Sequence, residues 1–264
     1  MVSLDCSPTP SPFAAAALPL QLTTLSAPVL VVAPHPDDET LGCGGAIAQL
    51  RARGCPVHVL VVSDGTRSHL RSQQYPPPRL KQVRQAETLA ALSLFQVEAE
   101  HVTFLGLPDG EVPHLSPPDH RPPSSAAQIV LERCQTYLRQ TAPQTIFLPY
   151  RFDPHRDHRA SWQLVQGAIR EAIPAPVASL LQPPRCLEYP IWDWDPGQRR
   201  PLAEGYKVWR LDVAAQVDLK RQAIHCYRSQ TTDLIADDPT GFRLLPELIA
   251  NFLHPWEIYL EPTP

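Results

Sequence analysis

Short, nearly continuous apolar runs recur along this chain, and each is followed by a segment of helical length. The runs are Val29–Val32, Val57–Val62, Val102–Leu105 and Thr145–Leu148. Runs of this length and composition suit strands buried on both faces of a parallel sheet. Helices are expected from about Leu41 to Arg53, Leu80 to Phe95, Ala126 to Gln140, and from Asp153 to about Ala172. Gly54 suits the stop after the first of these. Asp153 suits the N-cap and Pro154 the first position of the last. Strand alternating with helix restricts the chain to an α/β fold: a Rossmann-like, doubly wound, mostly parallel sheet flanked by helices.

Beyond about residue 175 the pattern changes. Arg185–Ile191 and Val208–Val213 read as strands, Ala215–Tyr227 as a helix and Leu244–Phe252 as a short helix. The sheet therefore carries a C-terminal β-containing extension. Residues 1–27, rich in Pro, Ser, Thr and Ala, are expected to form a flexible arm, and residues 28–264 a single domain.

Composition narrows the partners. A net charge of −4 disfavours nucleic acid, which would favour a basic face. No apolar run approaches the roughly 18–20 residues that a membrane span needs. The six cysteines are scattered with no CxxC pair, as for reduced thiols in the cytosol. Phe13–Leu18 resembles the apolar part of a signal peptide, but the first basic residue is Arg51, so the charged leader is missing. A cytoplasmic protein is expected, and a homo-oligomer is the ordinary expectation for such a chain.

In a doubly wound sheet, ligands sit beyond the carboxyl ends of the strands. Two clusters of bond-making residues fall on that edge. His35, Asp37 and Asp38 share one tight turn after the first strand. His155 and His158 lie three apart on one helical turn after the fourth. Two imidazoles and a carboxylate make a three-point site for Zn2+ with an open fourth position, and Fe2+ can occupy the same donors. Zinc held this way lowers the pKa of a water and polarises a carbonyl. One of the adjacent aspartates can bind metal while the other takes a proton from water.

Pro34-His35-Pro36-Asp37-Asp38-Glu39 together with His155-Arg156-Asp157-His158 resembles the signature pair of the PIG-L/LmbE-type zinc deacetylases. The resemblance runs from about Val29 to Gln230. It implies removal of the acetyl group from an N-acetylglucosamine-type amide on a small amino-sugar substrate. It also implies roles: His35, Asp38 and His158 as metal ligands, Asp37 as general base, and His155 as oxyanion stabiliser or acid for the leaving amine. Arg84 in Arg84-Gln85-Ala86-Glu87 and Asp109 in Leu107-Pro108-Asp109-Gly110 are similar to family residues that reach sugar hydroxyls. Asp64-Gly65 and the stretch from Lys220 to Ser229-Gln230 match weaker family features. Tyr227-Arg228 and Asp153-Pro154 depart from the pattern.

Plainer readings stand beside these. Arg84 and Glu87 also suit a solvent-facing helical ion pair, and Asp109 a simple turn. Trp192 and Trp194 read as core aromatics ahead of a sugar platform. Gly42, Gly44 and Gly45 would let backbone approach the metal turn. As functions, a non-catalytic metal- or sugar-binding module and a non-haem iron oxygenase are the alternatives.

Overall fold

The computed structural model describes residue 13 and residues 17–115, 123–172, 183–192 and 204–263. Among these residues eight strands form one sheet: β1 Leu18–Pro19, β2 Val29–Ala33, β3 Val57–Ser63, β4 Val102–Leu107, β5 Thr145–Pro149, β6 Arg185–Tyr189, β7 Tyr206–Asp212 and β8 Trp256–Pro262. Their order is β1-β7-β8-β6-β5-β2-β3-β4. The block β6-β5-β2-β3-β4 is parallel throughout. β8 runs antiparallel to both β6 and β7. Among the described residues the α-helices are α1 Asp38–Ala52, α2 Pro77–Leu94, α3 Ser125–Thr141, α4 Arg156–Ala172, α5 Val217–Cys226, α6 Arg228–Thr231 and α7 Pro246–Ala250.

Alternation along each strand divides the core in two. Val29, Val31, Val57, Val59 and Val61 pack with α1, α2 and α5 on one face. Leu30, Val32, Leu60, Val62, Ile146 and Leu148 pack with α3 and α4 on the other. Both faces are covered, which is why these strands read as unbroken apolar runs.

The chain leaves β2 towards β3 and β4, then returns to place β5 on the other side of β2. The loops after β2 and β5 therefore diverge at a topological switch point, where such sheets open a crevice.

Two expectations are corrected. The flexible arm over residues 1–27 is docked from Leu18 on. β1 pairs with Trp209 and Arg210 of β7, and Leu20 and Leu22 are buried. The glycines of α1 do not serve the metal turn. A Cβ at Gly42 would collide with the Tyr189 ring, and one at Gly45 would lie 2.5 Å from Val213 Cγ1. They seat α1 against the extension. No helix among the described residues is long and apolar enough to cross a membrane.

Candidate active site

The turn after β2 is built around Asp38. Its Oδ2 accepts from the His35 backbone N–H at 2.9 Å, which folds the loop back on itself. Asp37 then adopts φ 125°, a conformation L-residues rarely take. Its carbonyl accepts from Thr40 and Leu41 N–H, so the strained residue opens α1. Strain of this sort costs on the order of 1–3 kcal/mol and is held by surrounding contacts. The contacts here are Arg84, which donates to Asp37 Oδ2 at 3.0 Å and to the Pro36 carbonyl, and Glu39 Oε2, which accepts from Asp37 N–H at 3.2 Å.

Three donor atoms converge beside this turn. His35 Nδ1 lies 3.1 Å from Asp38 Oδ2 and 3.3 Å from His158 Nε2, and His158 Nε2 lies 3.3 Å from Asp38 Oδ2. A tetrahedral zinc with bonds of about 2.0–2.1 Å has donor–donor edges of about 3.3 Å. The triangle therefore has the size of one face of that tetrahedron. The remaining ring nitrogens face carboxylates. His158 Nδ1 is 3.4 Å from Asp153, and His35 Nε2 is 3.4 Å from Asp109 and 3.6 Å from Asp157. Carboxylates in those places keep the proton on the far nitrogen and leave the near lone pair for a metal. The residues fit a divalent cation.

His155 completes the cluster. One nitrogen each of His35, His155 and His158 can be chosen within 4.8 Å of one another. The Nδ1 of His155 accepts the Asp157 N–H at 3.3 Å, which places its proton on Nε2 as a donor. The tighter triangle is the one that includes Asp38.

A cavity of about 260 Å3 opens over the cluster. His35, Asp37, Asp38, Asp109 and His155 line its polar end.

A family profile described as PIG-L, GlcNAc-PI de-N-acetylase, matches residues 30–169. The chain belongs to the PIG-L family. A 1D-myo-inositol 2-acetamido-2-deoxy-α-D-glucopyranoside deacetylase of Mycobacterium sp. (strain KMS) is 40% identical over 86 residues, 30% of this chain and 27% of that protein. The match thus spans about a quarter of the curated relative. Among solved structures, the N,N'-diacetylchitobiose deacetylase of Pyrococcus horikoshii superposes with TM-score 0.60 at 21% identity, covering 78% of this chain and 72% of that one. The conserved protein TT1542 of Thermus thermophilus does so at 0.54 and 28%, covering 76% and 79%. These likenesses show a shared mostly parallel α/β fold.

The electrostatics of this PIG-L site separate its two aspartates. Burial works to raise Asp38, but His158 and His35 hold it well below the usual carboxylate range. Burial pushes Asp37 up to about 8, with Asp38 and Glu39 adding to it against the pull of Arg84. Burial and the neighbouring His158 and His35 push His155 down to about 4, so it is neutral at pH 7. Burial also works to raise Asp109, and His35 and the Arg67 N–H hold it at about 2.

All seven residues singled out from the sequence converge on this crevice, but Arg84 has a different posture from the one expected. It is 3% exposed, and its guanidinium is occupied by Asp37, Pro36 and Gly65. Nor does it pair with Glu87, which instead accepts from Ser229 N–H and Oγ, both at 2.7 Å. Asp109 lines the cavity while its Oδ2 accepts the Arg67 N–H at 2.8 Å. Trp192, expected in the core, lines the cavity as well; Trp194 lies outside the described residues.

Other contributors were not legible as such. Asp153 precedes α4, which starts at Arg156, and divides its carboxylate between the His155 N–H at 2.8 Å and His158. The D-x-H-x-x-H spacing was the available signal. Glu39 is buried against Tyr227 and Thr40, the tyrosine occupying a position that departs from the family pattern.

Proposed function

We propose that this protein is a zinc-dependent N-deacetylase of an N-acetylated amino sugar. The observation that carries the reading is the donor triangle of His35, Asp38 and His158 with Asp37 ionisable beside it. A zinc ion in that triangle would polarise the acetamide carbonyl and acidify a water, and Fe2+ would supply the same chemistry.

The chain's own groups divide the remaining work. Asp37 takes the proton from the attacking water. Its carboxyl is poised near 8, and a cation held in the triangle would draw it down towards neutral pH, where a base is best matched to its task. His155, neutral and protonated on Nε2, donates a hydrogen bond to the oxygen that gains charge as the carbonyl becomes tetrahedral. Asp37 then returns its proton to the leaving amine. Asp109 and Arg67 stand at the polar rim, where hydroxyls of the sugar can be met. Arg84 serves catalysis by holding Asp37.

The test is acetate release from N-acetylglucosamine glycosides by the metal-loaded protein, with Asp37→Asn as control. Release by the parent and its loss in the control are expected. Tight metal binding with no acetate from any amino sugar would instead favour a binding module. The alternative oxygenase reading would require oxygen uptake with iron, and the parallel sheet offers no β-helix barrel to support it.

A further inference from the structure

The cavity is chemically divided. Beside the polar end, Leu41, Ile191, Trp192, Phe242, Leu248 and Phe252 supply the apolar lining, with Trp192 stacked on His155 at 6.2 Å between ring centroids. Leu41, Ile191 and Phe252 are core residues, 4–6% exposed, that turn one side to the cavity. Trp192 and Phe242 form the rim, with ring centroids 5.6 Å apart, and Phe242 is 40% exposed. Both rim residues are tethered through their backbones. Trp192 N–H donates to Asp153 at 3.2 Å, and Phe242 N–H to the Ser68 carbonyl at 2.7 Å. Asp153 also faces His158, so the wall is fixed relative to the reaction centre.

A sugar ring can stack on one aromatic face, but it has no use for a wall of this extent, because its edges carry hydroxyls that need polar partners. Those partners are present in the same cavity as Arg67, Ser68, Asp109 and Gln230. A diphosphate-linked substrate would suit the wall still less. Its charge would find no uncommitted arginine in this lining, where Arg84 is already held by Asp37 and Arg67 lies 3.7 Å from Glu111.

We propose that the acceptor is an N-acetylated amino-sugar glycoside carrying an uncharged apolar aglycone, which lies on the Trp192–Phe242 wall. The proposal rests on the deacetylase reading and adds the class of group at the anomeric position.

The experiment compares methyl, hexyl and phenyl glycosides of N-acetylglucosamine with its nucleoside-diphosphate conjugate, using acetate release by the metal-loaded protein. A hydrophobic pocket discriminates on the order of tenfold or more for a single methylene. We therefore expect kcat/KM for the hexyl glycoside to exceed that for the methyl by at least about tenfold, and the diphosphate conjugate to be the poorest. In Phe242→Ala and Trp192→Ala the hexyl-to-methyl ratio falls towards one. Titration of hexyl glycoside into Asp37→Asn protein should show a more negative heat-capacity change than the methyl glycoside, a readout independent of turnover. Equal kcat/KM for methyl and hexyl, or preference for the diphosphate, overturns the proposal and leaves the deacetylase reading standing. No acetate from any of the four overturns both.

Discussion

Asp153 Oδ2 lies 3.4 Å from His158 Nδ1, across the imidazole from the nitrogen that meets Asp38. The same oxygen receives Trp192 N–H, while Asp153 Oδ1 receives His155 N–H. One buried carboxylate thus faces the far nitrogen of His158, the proposed ligand, and ties the entry into α4 to the start of the cavity wall. Asp153→Asn keeps the shape but removes the charge that favours Nδ1–H. We expect metal affinity to fall about 10–100-fold, the usual cost of losing such a partner. Competition with a chromophoric chelator would measure it, and a loss under about twofold would show that the contact does not orient His158.

Arg84 gives a prediction that separates holding the base from holding the sugar. Its guanidinium lowers the Asp37 pKa against burial. In Arg84→Gln that pull is gone, so the Asp37 pKa rises. A base must be ionised to act, so the acid limb of the kcat/KM profile should move to higher pH, and kcat should fall at pH 7. A guanidinium that bound sugar would instead raise KM with kcat and the pH profile unchanged.

Metal binding should release protons. Burial alone would lower His158, but Asp153 and Asp38 push it up to about 9 in the metal-free protein. Its proton must leave before Nε2 can ligate. Below pH 9, apparent metal affinity should therefore rise with pH, and titration calorimetry in buffers of different ionisation enthalpy should detect the released proton. The linkage has a sign for stability too. A raised histidine stabilises the metal-free fold fully below its unfolded pKa near 6.5, and that contribution is lost as pH rises through about 9. The gap in melting temperature between loaded and chelated protein should widen from pH 7 to pH 9. A pH-independent gap would count against a shared proton in the triangle.

What was legible in the sequence follows from locality. β2, β3 and β5 could be read because each is buried along nearly its whole length and opens directly into its motif, whereas β4, a half-buried edge strand, was read from its short apolar run. His35, Asp37 and Asp38 lie within one turn, and His155 and His158 within another, so their convergence needed only the sheet order. β8 was missed because Glu257 and Glu261 interrupt its apolar pattern, and the partners that allow them are distant. Glu257 meets Lys220 at 2.7 Å and the N–H groups of Gly45 and Ala46 in α1. Arg84 had the right address and the wrong partner, because Asp37 is 47 residues away. The apolar wall joins Leu41 to Phe252 across most of the chain, and no local pattern announces such a surface.

The seat of α1 on the extension can be tested at Gly45. A methyl there would lie 2.5 Å from Val213 Cγ1 and 3.1 Å from Glu257 Oε1, so the helix would have to move away from both. Glu257 receives Gly45 and Ala46 N–H at 2.7 and 2.9 Å, and those bonds would lengthen. Alanine's better helix propensity offsets about 1 kcal/mol, whereas overpacking typically costs about 1–3 kcal/mol. Gly45→Ala should therefore destabilise by up to about 2 kcal/mol net in urea unfolding. Because the first clash is with Val213, Val213→Ala should make room for the methyl, and the pair should be more stable than the sum of the two single changes. Simple additivity would mean that the glycine serves something other than this contact. Since α1 begins at Asp38, the same displacement should reach the donor triangle, and Gly45→Ala should bind metal more weakly while the double variant recovers.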